Sequence, residues 1–215
     1  MIVVIAGGHG QIARALGHLL AADDHEVRGL IRNPDHAADL EAIGVTPVVH
    51  DLERDGAGAL AEAVSGAHAV VFAAGAGPGS GAERKYTMDR DGAIRLIEAC
   101  RQSGVRRYVI VSAMGAKPGA ARGEGDFGAY LEAKAAADEA LAASGLDYTI
   151  VRPGRLTDEP AHELISAAPE LPPGSIPRAD VALTLRAVIS EPATNGVAFD
   201  LISGPTPIVQ ALAAL

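Results

Sequence analysis

Tryptophan is absent from this sequence, and phenylalanine and tyrosine are so few that aromatics make up only 3% of its 215 residues. A core must therefore be assembled from Ala, Val, Leu and Ile, and with hydrophobic residues at 48% there is enough of them. Cysteine is limited to Cys100, which excludes a disulfide within the chain and fits a reducing compartment. Cys100 lies in an apolar helical run and reads as a small buried hydrophobe, not a nucleophile. Positive charge is scarce too. The formal net charge is −9, so neither a nucleic acid nor an anionic membrane finds the basic face it needs, although a local basic pocket for a phosphate stays open. No apolar run approaches the length of a membrane span. The start "MIVVIAGG" lacks a basic region and reads as a first strand, not a signal peptide. A cytoplasmic protein with a small-molecule partner is the expectation, and the length suits one α/β domain over residues 1–215.

What is present is alternation. Apolar, β-branched runs at Ile2–Ala6, Glu26–Ile31, Thr46–His50, Ala69–Ala73, Tyr108–Ser112, Tyr148–Arg152 and Val197–Ile202 read as strands. Helical patterns separate them at Gln11–Ala22, Asp35–Ile43, Gly58–Val64, Arg84–Ser103, Phe127–Ala143 and Pro177–Ile189. Glycines after Ser103 and Ser144 mark two helix ends. Strand–helix alternation predicts a doubly wound parallel sheet, a Rossmann fold. Three loop-rich stretches, "GAGPGSGAE", "GAKPGAARGEGDFG" and "PELPPGSIP", follow strand ends, where ligands of such sheets bind. Residues 153–177 are expected to form a substrate-side loop region.

The first strand runs straight into "GGHGQIA". Gly7, Gly10 and Ala13 give G-x-x-G-x-x-A: a sharp turn, room for a diphosphate, and close packing of the helix on the sheet. Free N–H groups at the helix start, around Gln11 and Ile12, then face the phosphates. His9 is expected at the phosphate edge as a donor or a bystander. The second strand ends on Arg32, with no carboxylate before Asp35. A guanidinium there suits a 2′-phosphate, which predicts NADP(H) in preference to NAD(H). After the third strand, Asp51 is placed to reach an adenine amino group and Leu52 to lie on the ring. Ala73, Ala74 and Gly75 leave space for the adenosine ribose.

These pieces, with "MDRDGAIRLIEACRQSGVRRYVIVSAMGA", "YLEAKAAADEALAASGLDYTIVRPGRLTDEP" and "IPRADVA", resemble the short-chain dehydrogenase/reductase superfamily, and within it the atypical NmrA-like branch. The resemblance spans essentially the whole chain. It implies the fold and a nicotinamide cofactor and names no substrate. It also implies roles. Tyr130 would exchange the proton, Lys134 would hold the nicotinamide ribose, and Ser112 would polarise a carbonyl. Relatives often carry two adjacent hydroxyl residues where this chain has Ser112-Ala113, so the serine's alignment stays open. Pro153 and Gly154 would pass beside the nicotinamide, with backbone groups for its carboxamide.

Tyr130 and Lys134, four apart on one helix, share a face. A lysine ammonium lowers the pKa of a neighbouring phenol, which predicts a tyrosine tuned toward the phenolate. Asp89 and Asp91 are either aids to the site or plain helix charges. Arg152 is either a ligand contact or paired with an internal acid. Asp180 reads as structural. Asp158, Glu159, His162 and Glu163 are rejected as a metal site, since only His162 and one carboxylate would share a helical face. Two functions stay open: an oxidoreductase acting on a small carbonyl, quinone-like or sugar-like compound (with epimerase or dehydratase chemistry as a variant), and a non-catalytic NADP(H)-sensing regulator.

Overall fold

The computed structural model describes residues 1–77, 79–117 and 125–215. Its elements run β1 (Ile2–Ala6), α1 (Gln11–Ala22), β2 (Glu26–Ile31), a 3-10 turn (Pro34–His36), α2 (Ala37–Glu41), β3 (Thr46–Val49), α3 (Ala57–Val64) and β4 (Ala69–Phe72). Then come α4 (Ala82–Arg84), a π-helical segment (Lys85–Gly92), α5 (Ala93–Ser103), β5 (Arg107–Val111), α6 (Asp126–Ala142) and β6 (Asp147–Pro153). The chain continues through β7 (Arg155–Thr157), β8 (Leu164–Ala168), β9 (Ser175–Pro177), α7 (Arg178–Ile189), β10 (Val197–Ser203), β11 (Thr206–Pro207) and α8 (Ile208–Ala213). Parts of the first two loop-rich stretches, Pro78 and residues 118–124, lie outside the described residues.

Nine strands form one sheet in the order β11-β8-β10-β6-β5-β4-β1-β2-β3. β1 pairs in parallel with both β2 and β4, so the strand order reverses there, and a ligand crevice opens at the carboxyl ends. Side chains of β1 alternate between two cores. Val3 and Ile5 pack on one face with Leu16, Leu20 and Leu185, while Val4 and Ala6 pack on the other with Leu60, Phe72 and Leu96. That is why the strand reads as continuously apolar: both faces are covered by helices. α1 presents Ala13, Leu16, Gly17 and Leu20 to the sheet, a helical spacing. Helix α5 stops at Gly104 in the left-handed region, φ 77°.

The sequence reading needs two corrections. Residues 153–177 are not loop throughout: β7 and β9 form a small parallel pair, and β8 joins the main sheet antiparallel to β10. The sheet is thus mostly parallel, with an antiparallel edge. "LISAA" carries no β-branched run, and it becomes a strand because the open edge of β10 needs a partner for its backbone groups. The helix predicted as Arg84–Ser103 starts at Ala82 and is π-helical from Lys85 to Gly92. Such a segment commonly marks a functional position.

Gly7 has φ 78°, and a Cβ on it would lie 2.6 Å from the Ala74 Cα. Gly7→Ala should therefore cost about 2–5 kcal/mol, from left-handed strain plus a backbone clash. Gly58, inside α3 with nothing near its missing Cβ, is the contrast. Gly58→Ala should be neutral or stabilising by up to about 1 kcal/mol. Urea denaturation of both variants checks this, and equal effects would contradict the close-approach argument.

Candidate active site

The turn after β1 is tightly built. The Gly10 N–H donates to the Gly7 carbonyl (2.8 Å) and the Gly8 N–H to the Leu30 carbonyl (2.9 Å). A Cβ on Gly8 would lie 2.9 Å from the Gly29 Cα, so a second glycine, in β2, lets this loop settle against the sheet. Helix α1 follows with Gly10 as an extended N-cap and no side-chain cap. Its first-turn amides, of Gln11 and Ile12 among others, are left for an anion. The Gln11 side chain is exposed, whereas Ile12 lines a hollow.

Two hollows meet over this turn, one of about 330 Å³ and one of about 590 Å³, and both are lined by Gly10, Ala73, Ala74 and Gly75. Together they cross the point where the strand order reverses, as an extended dinucleotide requires. The residues present fit an NAD(P)(H) group: uncapped amides at the centre, small residues where the backbone must be approached, and a hollow on each side.

The smaller hollow lies beside the ends of β2 and β3, where the adenosine was expected. Gly7, His9, Arg32 and Leu52 line it, together with His36, His50 and Arg84. His9 Nε2 is 2.8 Å from Asp39 Oδ2, and its ring stacks on His36 at 3.6 Å. Arg32 is more than half exposed and donates to Glu53 Oε2 (3.1 Å). Arg84 donates to the same oxygen (3.1 Å), and Thr87 donates to Glu53 Oε1 (2.6 Å). Burial would raise the Glu53 pKa, but Thr87, Arg84 and Arg32 outweigh it and hold the carboxyl below its usual range. Asp51 departs from expectation. It lines a neighbouring hollow, and its Oδ1 accepts the Glu53 N–H (2.9 Å), so its carboxylate serves its own loop. An Asp side chain readily forms such a turn by accepting the backbone N–H two residues on.

The larger hollow holds Tyr130, Lys134 and Ser112. Lys134 is buried, with Nζ 3.2 Å from Asp89 Oδ1. It donates to the Val111 carbonyl (3.0 Å) and reaches the Ala74 carbonyl (3.5 Å). Asp89 also accepts the Ala76 N–H (3.0 Å). Of the two acids in that helix, Asp89 is built into the site, and Asp91 pairs near the surface with Arg90. Burial alone would lower the Lys134 pKa, but Tyr130 and Asp89 outweigh it and the net shift is upward.

The Lys134 ammonium lies 5.8 Å from the Tyr130 ring centroid. The expected tuning toward the phenolate is overturned. Burial raises the Tyr130 pKa more than Lys134 lowers it, and Asp89 and Asp138 push the same way as burial. The net effect holds Tyr130 toward the neutral phenol. Ser112 also differs from its expected role. Its hydroxyl donates inward to Asp138 Oδ2 (2.9 Å), an oxygen that also accepts from Arg152 Nε (2.9 Å). Arg152 thus pairs with an internal acid. Asp138 lies 3% exposed, its Oδ1 is unpaired, and burial above all pushes its pKa up to about 6.

Pro153 and Gly154 are absorbed by the sheet. The Pro153 carbonyl accepts the Met114 N–H (2.9 Å), and the Gly154 N–H donates to Leu201 (2.9 Å), so neither group is free for a carboxamide. Leu156 is the residue of this segment that lines the hollow. Asp180 is structural, accepting the N–H groups of His162 and Glu163. Asp158 is engaged by Arg178 (2.7 Å). Burial pushes the Cys100 thiol up to about 12, which leaves it inert.

Sequence reasoning missed Glu53, Arg84, Lys85 and Asp138. Three of these carry a signal in hindsight. Arg84 and Lys85 sit at the start of a helix, where the macrodipole disfavours cations. Asp138 interrupts a run of alanines that marks a buried helix face.

Residues 7–192 match a family model described as NAD(P)H-binding. An uncharacterized sugar epimerase of Bacillus subtilis is 40% identical over 216 residues, covering the whole of both chains. Among solved structures, a candidate NAD-dependent epimerase/dehydratase from Bacillus halodurans superposes with a TM-score of 0.92 at 35% identity, over the whole of both chains. An oxidoreductase from Lactococcus lactis gives 0.89 at 27% identity, covering 100% of this chain and 96% of its own. Among the described residues, no helix is long and apolar enough to cross a membrane.

Two predictions follow from the buried charges. Lys134→Met leaves Asp89 buried without its cation and should cost about 3–5 kcal/mol. Adding Asp89→Asn should recover much of that loss, and purely additive effects in urea titrations would contradict the pairing. The second concerns Asp138, whose folded pKa stands above its unfolded one. The folded protein then holds a proton that the unfolded chain has released, so this group's contribution falls as pH rises from about 4 to about 6. The stability of Asp138→Asn minus that of the parent should rise across that window, by at most about 3 kcal/mol. A pH-independent difference would remove Asp138 from this role.

Proposed function

The chain belongs to the NAD(P)H-binding family, and from that membership we propose that it is an NADP(H)-dependent oxidoreductase that reduces a small carbonyl, quinone-like or sugar-like compound. The observation that carries this reading is Tyr130, a half-buried phenol lining a hollow continuous with the glycine turn. When bound, the reduced nicotinamide supplies hydride. The protein's part is to orient the two reactants and to move one proton. As the carbonyl carbon accepts hydride, its oxygen takes the Tyr130 hydroxyl proton, and solvent then returns a proton to the phenolate. Lys134 acts through Tyr130, since its cation, at 5.8 Å from the ring, stabilises the phenolate that proton donation leaves behind. Its own N–H groups are taken by Asp89 and two strand-end carbonyls, so it also fixes the height of the helix that carries Tyr130.

The preference for NADP(H) rests on the pair of guanidinium groups at Arg32 and Arg84, which converge beside the adenosine hollow. Glu53 balances only one of them. The second is available to a 2′-phosphate.

Two relatives bear epimerase names. An epimerase would need Tyr130 to take a proton in one half-reaction and return it in the other, and a phenol whose pKa is raised is a poor acceptor. Net NADPH consumption separates the two chemistries. Binding of NADPH with no turnover of any compound is the outcome that speaks for a sensor.

NADPH oxidation over a panel of carbonyls, quinones and sugars is the direct test. Turnover should fall about 10²–10⁴-fold in Tyr130→Phe, with NADPH affinity little changed. Activity indifferent to that change would remove Tyr130 from the reaction. NADPH should bind more tightly than NADH, and Arg32→Ala should erase most of the gap. Equal dissociation constants in the parent protein would defeat the 2′-phosphate assignment.

A further inference from the structure

One buried charge at the site has no part in the proton transfer. Lys85 opens the π-helical segment and is only 6% exposed. It lines the larger hollow, where its ammonium stands 5.7 Å from the Tyr130 ring centroid, nearly the distance of Lys134. Tyr130 is therefore approached by two cations. Lys134 has its own carboxylate, Asp89. Lys85 donates to the Gly77 carbonyl, a neutral group, and among the described residues it forms no ion pair. The other charged groups lining the hollow change this little. Lys134 and Asp89 cancel, and Asp126 is exposed at the start of α6. An ammonium held out of water without a counter-charge is costly unless an anion joins it.

The rest of the wall is apolar. Phe127 leans over Tyr130 with ring centroids 6.1 Å apart and is 68% exposed, an unusual place for a large aromatic. Ile12 and Leu156 line the same hollow. An exposed aromatic at the mouth favours a flat, conjugated body that stacks on it. The aliphatic floor favours the same body, and the ammonium favours a carboxylate at its edge. We propose that this hollow takes a flat, apolar substrate bearing a carboxylate, and that Lys85 selects it. The proposal rests on the reductase reading for the substrate's reacting group, while the carboxylate contact stands on the hollow alone.

The test is calorimetric binding of 2-naphthoate and of its neutral analogue 2-naphthamide to the NADP⁺-loaded protein. The carboxylate should bind at least about tenfold more tightly than the amide. Lys85→Met should abolish that preference and leave amide binding in place, and Lys85→Arg, which keeps the charge, should retain most of it. An NADPH titration of each variant verifies that the fold and cofactor site are intact. Equal binding of the two probes, a preference that survives Lys85→Met, or no binding of either at millimolar concentration overturns the proposal. Binding is read without turnover, so absence of NADPH oxidation in the panel above would count against the reductase reading and leave this result standing.

Discussion

The buried pair of Lys134 and Asp89 is the constraint on which the site depends. One ammonium and one carboxylate, 3.2 Å apart, tie together four pieces of backbone: α6, the π-helical segment, and the ends of β4 and β5. Neither charge is tolerable alone at that depth. Each therefore holds the other's element in register, and Tyr130, one turn before Lys134, is carried to the hollow as a consequence. Lysine at this position is first a structural bolt and, through that, an electrostatic partner of the phenol.

Around that pair the site is a balance of buried charges, and burial decides the sign of the important shifts. Lys134 pulls the Tyr130 pKa down, but removal from water pushes it further up. The outcome favours the neutral phenol, the form that the proposed reduction calls for. Asp138 is governed in the same way: Arg152 and Ser112 stabilise its anion, yet burial leaves its pKa at about 6. Its Oδ2 takes the Ser112 hydroxyl proton in a hydrogen bond. Lys85, by contrast, donates to a backbone carbonyl and forms no ion pair among the described residues, and the proposed carboxylate preference rests on that asymmetry.

Much of this was legible in the residues. The glycine spacing and its place between strand and helix identified the turn, because few other residues reach φ 78° beside a neighbouring backbone. The strand–helix alternation gave the layer architecture, because apolar strands covered on both faces have few other folds. Less legible was residues 153–177, where strand formation comes from pairing with β10 and not from composition. Asp51, Pro153 and Gly154 had plausible ligand roles by position, but their polar groups are claimed by nearby backbone.

By itself, then, the sequence determined the local geometry: which segments of the alternating part form strands and helices, where the chain must turn, and that Tyr130 and Lys134 share a face of α6. These follow from short-range sterics and periodicity, which a linear reading contains. Only the tertiary structure decided the electrostatics. How far Tyr130 and Asp138 are withdrawn from water, that Asp89 pairs with Lys134, and that Lys85 arrives beside the phenol with no carboxylate partner among the described residues all depend on groups far apart in the chain. Desolvation and charge pairing are properties of the assembled environment, and no spacing along the chain encodes them.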